Sequence, residues 1–412
     1  MKILWFEVTE PSAYMSGGEP IGGWQDSLER IVRTIPNIEL IIAFMSEKYS
    51  ETRIVRGVTY VPIYTQWSFY EKNIRKRWDV YVEKMLLPAK QIIDKYHPDL
   101  IHIFGTEWPF GQIAKYTDIP VVIHIMGSIV PYHNANYPPG YSFIGEIIKN
   151  WWNPMRWYRF WKSRRDSDNW LMWEQRTWKL VNNYMGRTQW DKSLSNVMHP
   201  GRKYFHVEEA LRTDFIKGNN IWKYPEDSKL RLISTGCSTF WKGPDMMLKV
   251  AKILVGLNIN FEWQVVGKMS PYIKKTIEMQ EGVSFKDVHI NILGYKKPDE
   301  LMKILCTSTI YVHTAYVENS PNSVCEAQCI GLPVISTNVG GISTLVRQDL
   351  DGILVAANDP WQMADAIVEL YKNRELMQQY SENSRNFAMN RHKDENIRQQ
   401  LFDCYKQLAN CN

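Results

Sequence analysis

The sequence predicts an α/β protein built from two doubly wound domains with parallel sheets. Three observations carry that expectation. From about Arg231 onward, short runs rich in Ile and Val alternate with amphipathic stretches. Those runs are continuously apolar rather than alternating, as in parallel strands covered on both faces. The first half repeats the same rhythm more loosely, and a βαβ rhythm implies an open sheet wound in both directions.

Taken in chain order, KILWFEV reads as the first strand, leading into a glycine-rich loop and the helix-like QDSLERIVRTI. IELIIAFM and TRIVRGVTYVPIY follow as strands. DLIHIFG, FGQIAKYT and PVVIHIMG make a β-α-β passage. A polar stretch from about Phe205 to Lys229 separates the halves and is expected to hold the hinge. The second half pairs RLISTG with DMMLKVAKIL, FEWQVVG with SPYIKKTIEM, HINILG with PDELMKILC and TIYVHTA with SVCEAQCIG. PVISTN with ISTLV, and GILVAA with WQMADAIVELYKN, complete it. The expected division is 1–210, 211–385 and a C-terminal helix over 386–412 that packs back on the first domain. Ligands of such folds bind at the carboxyl ends of the strands, so the cleft between the domains is the expected site.

Composition bounds the function. The chain has 412 residues, 44% of them apolar and 23% charged, which excludes a disordered chain. A net charge of +5 suits anionic ligands but is far from that of a dedicated nucleic-acid binder. The six cysteines lack paired metal-ligand spacing and read as reduced thiols of a cytoplasmic protein. MKILWFEV does not read as a secretory signal, and no apolar run reaches the length of a spanning helix.

Residues 151–178 break the pattern. They hold seven of the seventeen tryptophans, with Arg156, Arg159, Lys162, Arg164 and Arg165 among the first of them. Two readings stand side by side. Basic residues interleaved with tryptophan suit a membrane surface, where the rings sit at headgroup depth. A helical insertion of about 150–180 that buries its tryptophans against the N-terminal domain is the plainer reading and the preferred one, since exposed apolar patches on soluble domains are uncommon. Stacking on bases is a third, weaker option, and no nucleic-acid partner is expected.

The densest chemical signal is HTAYVENSPNSVCEAQCIGLPVISTNVGG, residues 313–341. A strand ends in a loop bearing Glu318. Ser320 suits an N-cap and Pro321 the first helical position, so a helix is expected to begin there. The amides of Asn322 and Ser323 then form an anion site at the positive helix end. Glu318 and Glu326, eight residues apart, reach one elongated ligand from the loop and from the helix. Gly340 and Gly341 allow close backbone approach.

This segment resembles the glutamate-x7-glutamate signature of retaining GT-B glycosyltransferases of family 4, in its glutamate-x-x-proline-asparagine variant. Glu318, Glu326, Ala327, Gly331, Pro333, Val334, Gly340 and Gly341 are all in register with it. GGWQDSL, with Gly22 and Gly23, resembles the glycine loop after the first strand, near donor phosphate and acceptor. VVIHIMGS resembles the strand whose terminal histidine, here His124, lies by the donor sugar. His102 reads as a core residue. STGCSTFWKG resembles the first loop of the donor domain, with Gly236 in place and Lys242 as its phosphate lysine.

One position departs from the pattern. Cys237 stands where the family usually carries an arginine, removing a charge-assisted contact worth ~1.5–3 kcal/mol. Arg187 and Lys268 are the candidate replacements. Cys237 itself reads as a small buried residue rather than a nucleophile.

The resemblance implies a GT-B fold, two Rossmann-like domains facing across a cleft. It implies a retaining, metal-independent transferase that moves a sugar from a nucleoside diphosphate to a hydroxyl of a glycan or lipid-linked acceptor. Lys242, with the Asn322 and Ser323 amides, would neutralise the diphosphate, and Glu326 would take the ribose hydroxyls. Glu318 would bind donor-sugar hydroxyls and stabilise charge at the anomeric carbon, with His124 touching the sugar from the other domain. No metal and no cofactor beyond the donor is implied. Two other readings are a catalytically silent glycan-binding GT-B protein, supported by Cys237 alone, and a nucleotide-sugar epimerase. The adjacent carboxylates Glu208 and Glu209 carry no motif.

Overall fold

A computed structural model of the chain describes residues 1–14, 23–73, 76–149, 152–218, 220–227 and 229–409. The chain forms two compact units. One takes in Met1–Ile129, Arg165–Arg212 and His392–Asn412; the other takes in Val130–Arg164 and Thr213–Arg391.

Eight strands make the sheet of the first unit: β1 (Lys2–Glu7), β2 (Glu39–Ser46), β3 (Arg53–Val55), β4 (Val58–Tyr64), β5 (Leu100–Phe104), β6 (Val121–His124), β7 (Asn183–Gly186) and β8 (Lys203–His206). Their spatial order is β3-β4-β2-β1-β5-β6-β7-β8, parallel except for the β3 edge. TRIVRGVTYVPIY, expected as one strand, is thus a hairpin. Arg56 and Gly57 both take positive φ at its turn (52° and 80°), the twist that a tight two-residue hairpin requires.

Alternation along β1 divides the core. Ile3 and Trp5 face one layer with Phe44 and Phe104, while Leu4 and Phe6 face the other with Ile41, Ile103 and Phe110. The first layer is closed by the last helix, Asp394–Ala409, through Ile397, Leu401, Tyr405 and Leu408. There Trp5 Nε1 donates to the Tyr405 hydroxyl (3.1 Å), which lies 2.7 Å from His102 Nδ1. Arg30 fixes the start of that helix with a two-pronged pair to Asp394 (2.6 and 2.9 Å). His102 is therefore a buried core side chain, held down to about 3 by burial.

The second unit carries six parallel strands: β9 (Leu230–Thr235), β10 (Phe261–Val266), β11 (Ile290–Gly294), β12 (Ile310–His313), β13 (Val334–Thr337) and β14 (Gly352–Val355). Their order is β11-β10-β9-β12-β13-β14. The chain winds outward from β9 in one direction, then returns to β12 on its other side. That reversal opens a crevice at the carboxyl ends of β9 and β12, where open α/β sheets take ligands.

The tryptophan-rich stretch lies where neither sequence reading put it as a whole. It belongs to a long helix, Pro154–Trp178, whose halves fall in different units. Trp173 and Trp178 are buried in the first unit, edge-on to Tyr81 (4.7 Å) and stacked on Tyr184 (4.7 Å) respectively. Residues 130–164 instead join the second unit, so an insertion confined to the N-terminal domain is corrected. Aromatic packing is the reason. Tyr132 meets Trp241, Tyr137 and Tyr141 meet Phe240, and Phe160 meets Tyr272, with ring centroids 5.5–5.9 Å apart. Among the described residues no helix is long and apolar enough to cross a membrane.

Candidate functional site

The site in the second unit is assembled from loops that follow β9, β12 and β13. Gly236 leaves β9 with φ +81° and donates its amide to Val266 O at 2.9 Å. Gly267 (φ +129°) leaves β10 so close that a Cβ there would lie 3.3 Å from the Gly236 nitrogen. Cys237 is wholly buried beneath this pair, Sγ 3.8 Å from Gly267 O, and burial pushes its thiol up to about 11. That environment belongs to a small packing residue. Lys268, next along, is exposed.

The loop then turns through Phe240–Lys242 to Gly243, whose φ of +70° only glycine takes without strain. A Cβ on Gly243 would stand 1.9 Å from Thr314 O. Thr314 Oγ1 donates to Lys242 O (3.0 Å) and Tyr316 N to Trp241 O (2.7 Å), so the lysine backbone is pinned to the chain leaving β12. From there Lys242 Nζ donates to Glu318 Oε2. Glu318 is itself clamped: Gly341 N donates to its carbonyl oxygen at 3.0 Å, and Gly340 (φ +53°) backs directly against it.

Asn319 and Ser320, both buried, lead into the helix Asn322–Ile330. The cap is Pro321, with extended ψ of 119°, and not Ser320. The expected start thus shifts by one residue, because the prolyl carbonyl, not the serine's, accepts the first returning amides, Val324 N (3.0 Å) and Cys325 N (3.3 Å). Asn322 and Ser323 remain the leading amides of the helix, whose N-terminal amides lack intrahelical acceptors. Buried Tyr311 ties this end to β9 by a hydroxyl bond to Thr235 Oγ1 (2.8 Å), and its hydroxyl is pushed up to about 12. Glu326 is buried one turn in.

Gly236, Lys242, Glu318, Asn322, Ser323 and Glu326 are therefore brought to one end of one sheet. His313, which sequence reasoning did not single out, joins them. It ends β12, fully enclosed, with Nε2 3.9 Å from Glu318 Oε2. Burial holds it down to about 4, although the Glu318 carboxylate pulls the other way. A polar residue closing an apolar strand run, TIYVH, is the one signal in the sequence that could have found it.

His124 and Arg187 are brought together in the first unit, at the ends of β6 and β7. Arg187 Nη1 lies 3.4 Å from His124 Nε2 and Arg187 Nε lies 3.2 Å from Glu209 Oε2. A guanidinium can only donate, so Nε2 accepts and the histidine proton sits on Nδ1. Burial first, and then the arginine charge, hold His124 well below the usual range. Arg187 is thus engaged by Glu209 within the first unit. Glu209 acquires a role that its sequence context did not suggest.

Two further carboxylates lie at the same strand ends. Glu174 accepts from Thr106 Oγ1 (2.5 Å), Ser128 Oγ (2.9 Å) and Ile129 N (3.0 Å). Burial, reinforced by Glu174, pushes Glu107 up to about 7. Gly23 stands as the cap of the helix Trp24–Val32; Gly22 lies outside the described residues. Two Asp-x-Asp triplets occur, Asp166–Asp168 and Asp349–Asp351, and arginine engages one member of each: Arg77 lies 3.4 Å from Asp166, and Arg347 donates to Asp351 at 2.5 Å. Among the described residues no three His, Cys, Asp or Glu side chains cluster as metal ligands do.

Two parallel-sheet units of this kind define a GT-B fold. Over its whole length the chain superposes on sucrose-phosphate synthase from Thermosynechococcus elongatus with a TM-score of 0.74 at 15% identity, covering 100% of both chains. It superposes on Anabaena HepE in complex with UDP with a TM-score of 0.66 at 13% identity, covering 99% of this chain and 100% of that one. Residues 217–387, within the second unit, match the family model of glycosyl transferases group 1. The D-inositol 3-phosphate glycosyltransferase of Paenarthrobacter aurescens is 30% identical over 135 residues, 32% of each chain. The matches to the first curated relatives span well under half of their length, 40% and 32%.

Proposed function

We propose that the chain is a retaining glycosyltransferase that moves a sugar from a nucleoside diphosphate sugar to a hydroxyl of a glycan or lipid-linked acceptor. The reaction fits cell-surface polysaccharide synthesis on the cytoplasmic side of a membrane. One observation carries the reading. Lys242, Glu318 and the head of the Asn322–Ile330 helix meet at the β9–β12 crevice, inside the segment that matches glycosyl transferases group 1.

The chemistry follows from the groups present. Lys242 and the Asn322 and Ser323 amides supply fixed positive charge for a diphosphate leaving group, the work a metal would otherwise do. Glu326, buried one turn into the helix, is placed to bond ribose hydroxyls, and Glu318 hydroxyls of the sugar. A carboxylate at Glu318 also stabilises the positive charge that develops at the anomeric carbon. His124, neutral with its proton on Nδ1, supplies a neutral donor to the sugar. Retention of configuration is what the resemblance of the Glu318–Gly341 segment to retaining family 4 transferases implies. With Cys237 buried, exposed Lys268 is the nearby cation for the missing arginine contact.

Thermal shifts with UDP, GDP, ADP and their sugar conjugates, on the wild type and Glu326→Ala, test the reading. A nucleotide at 100 times its dissociation constant adds ~2.7 kcal/mol to stability. The expected result is a shift with one base, lost in the variant. No shift with any of them in folded protein overturns it and favours a donor-free binding protein.

A further inference from the structure

Among the described residues of 143–164, seven large apolar side chains are exposed. Along the helix Pro154–Trp178, Arg156 and Phe160 are one turn apart and turn inward. Arg156 lies over the Tyr272 ring (5.0 Å) and Phe160 packs beside it (5.7 Å). At 100° per residue the opposite arc holds Met155, Trp157, Tyr158 and Trp161. Their exposures are 61%, 40%, 47% and 55%. Trp152, just before the helix, is 64% exposed. In the preceding helix, Phe143–Lys149, Ile144 and Ile148 are one turn apart and 68% and 64% exposed.

A soluble domain rarely exposes so many large apolar side chains within one short segment unless something covers them. Charge decides among occupants. Residues 143–165 hold six Lys and Arg side chains against one acid, Glu146. Arg159 and Arg164 are exposed, and Lys162 partly so. Tryptophan and tyrosine rings flanked by cations match the layer where acyl chains meet anionic headgroups. A second copy of the same face would bring two positive fields together, and like charges at a shared interface repel.

We propose that the Ile144–Trp161 face docks this protein on an anionic lipid bilayer. The surface is narrower than the whole tryptophan-rich stretch, because Trp173 and Trp178 are core residues. It is also seated on the donor loop: the chain leading into it, through Tyr132, Tyr137 and Tyr141, packs on Phe240 and Trp241 beside Lys242. This inference does not depend on the transferase reading, and a bilayer assay needs neither donor nor acceptor.

The test is flotation of the full chain with phosphatidylcholine vesicles, with and without phosphatidylglycerol, at low and high salt. Binding is expected only with the anionic vesicles, weakening as salt rises. Each basic residue neutralised, as in Arg159→Gln or Lys162→Gln, is expected to lower partitioning about fivefold. Trp157→Ser/Trp161→Ser is expected to abolish flotation while melting like the wild type and keeping any nucleotide-induced thermal shift. Wild type that stays unbound at low salt, or binds both vesicle types equally, overturns the proposal. So does a double variant that floats like wild type, or one whose only change is from dimer to monomer in sedimentation.

Discussion

Gly340 backs onto Glu318 so closely that a Cβ on the glycine would fall 1.8 Å from the glutamate carbonyl oxygen. Two loops, one after β12 and one after β13, thereby hold a single carboxylate in place. Glu318 reaches Lys242 from a backbone that cannot move without displacing Gly340 and Gly341.

Gly340→Ala is accordingly expected to damage the site more than the fold. The left-handed φ alone costs ~1–2 kcal/mol, and the clash must push the Glu318 loop away. Nucleotide affinity by calorimetry is expected to fall by an order of magnitude or more, with a smaller drop in melting temperature. Wild-type affinity in a folded Gly340→Ala protein would falsify the clamp.

Lys242 and Glu318 are expected to respond in opposite directions. Without ligand the lysine is engaged by the glutamate, so a diphosphate must compete for it. Lys242→Met is expected to weaken nucleoside diphosphate binding by ~1.5–3 kcal/mol, roughly 10- to 150-fold. Glu318→Gln releases the lysine and is expected to bind the same nucleotide at least as tightly, while sugar transfer is lost. Parallel calorimetry and transfer assays on the two variants check this, and equal weakening of binding in both refutes it.

The buried histidines make stability pH-dependent with a definite sign. His102 is held down to about 3 by burial, against about 6.5 in an unfolded chain. Between those values only the unfolded state takes up the proton. The contribution of neutral His102 is complete above about pH 6.5 and is lost as pH falls toward 3, at ~1.4 kcal/mol per pH unit. His102→Phe is expected to cost ~1–3 kcal/mol at neutral pH, because the Tyr405 hydroxyl loses its partner. The gap between wild type and variant should then close on acidification. Denaturant melts from pH 4 to 8 measure it, and a constant gap rejects the assignment.

Thiol labelling of the native chain separates packing from chemistry. Cys237, Cys325, Cys329 and Cys404 are buried, while Cys306 is partly exposed. Burial pushes Cys237 up to about 11 and Cys329 up to about 12, which removes the reactive thiolate at neutral pH. Mass spectrometry after brief alkylation is expected to find Cys306 modified and these four protected. Rapid modification of Cys237 would restore it as a candidate nucleophile.

Much of this architecture was legible in local pattern. Runs such as RLISTG and TIYVHTA declare buried parallel strands because a strand covered on both faces has no polar side to show. The Glu318–Gly341 segment was legible for another reason: its glycines, proline and carboxylates stand in register with a known signature, although Gly340 serves Glu318 on a different loop and Glu318 serves Lys242 from far along the chain. The hairpin at Arg56–Gly57 was harder to see. An arginine with positive φ leaves no sign in a hydrophobicity pattern. His313 passed as the last residue of an apolar run until β9 and the Glu318 loop enclosed it.

By itself, then, the sequence determined the doubly wound sheets, the loop-and-helix carriage of Glu318, Asn322, Ser323 and Glu326, and the small residues that let the loops close. Periodicity and turn chemistry are local, acting over a few residues at a time. Only the tertiary structure decided that Arg187 pairs with Glu209, that Tyr405 reaches back some three hundred residues to His102, and that one tryptophan-rich helix is core at one end and open surface at the other. Burial is set by what packs against a side chain from distant parts of the chain. Trp161 and Trp173 lie on one helix, yet Trp173 is buried edge-on to Tyr81 while Trp161 is 55% exposed.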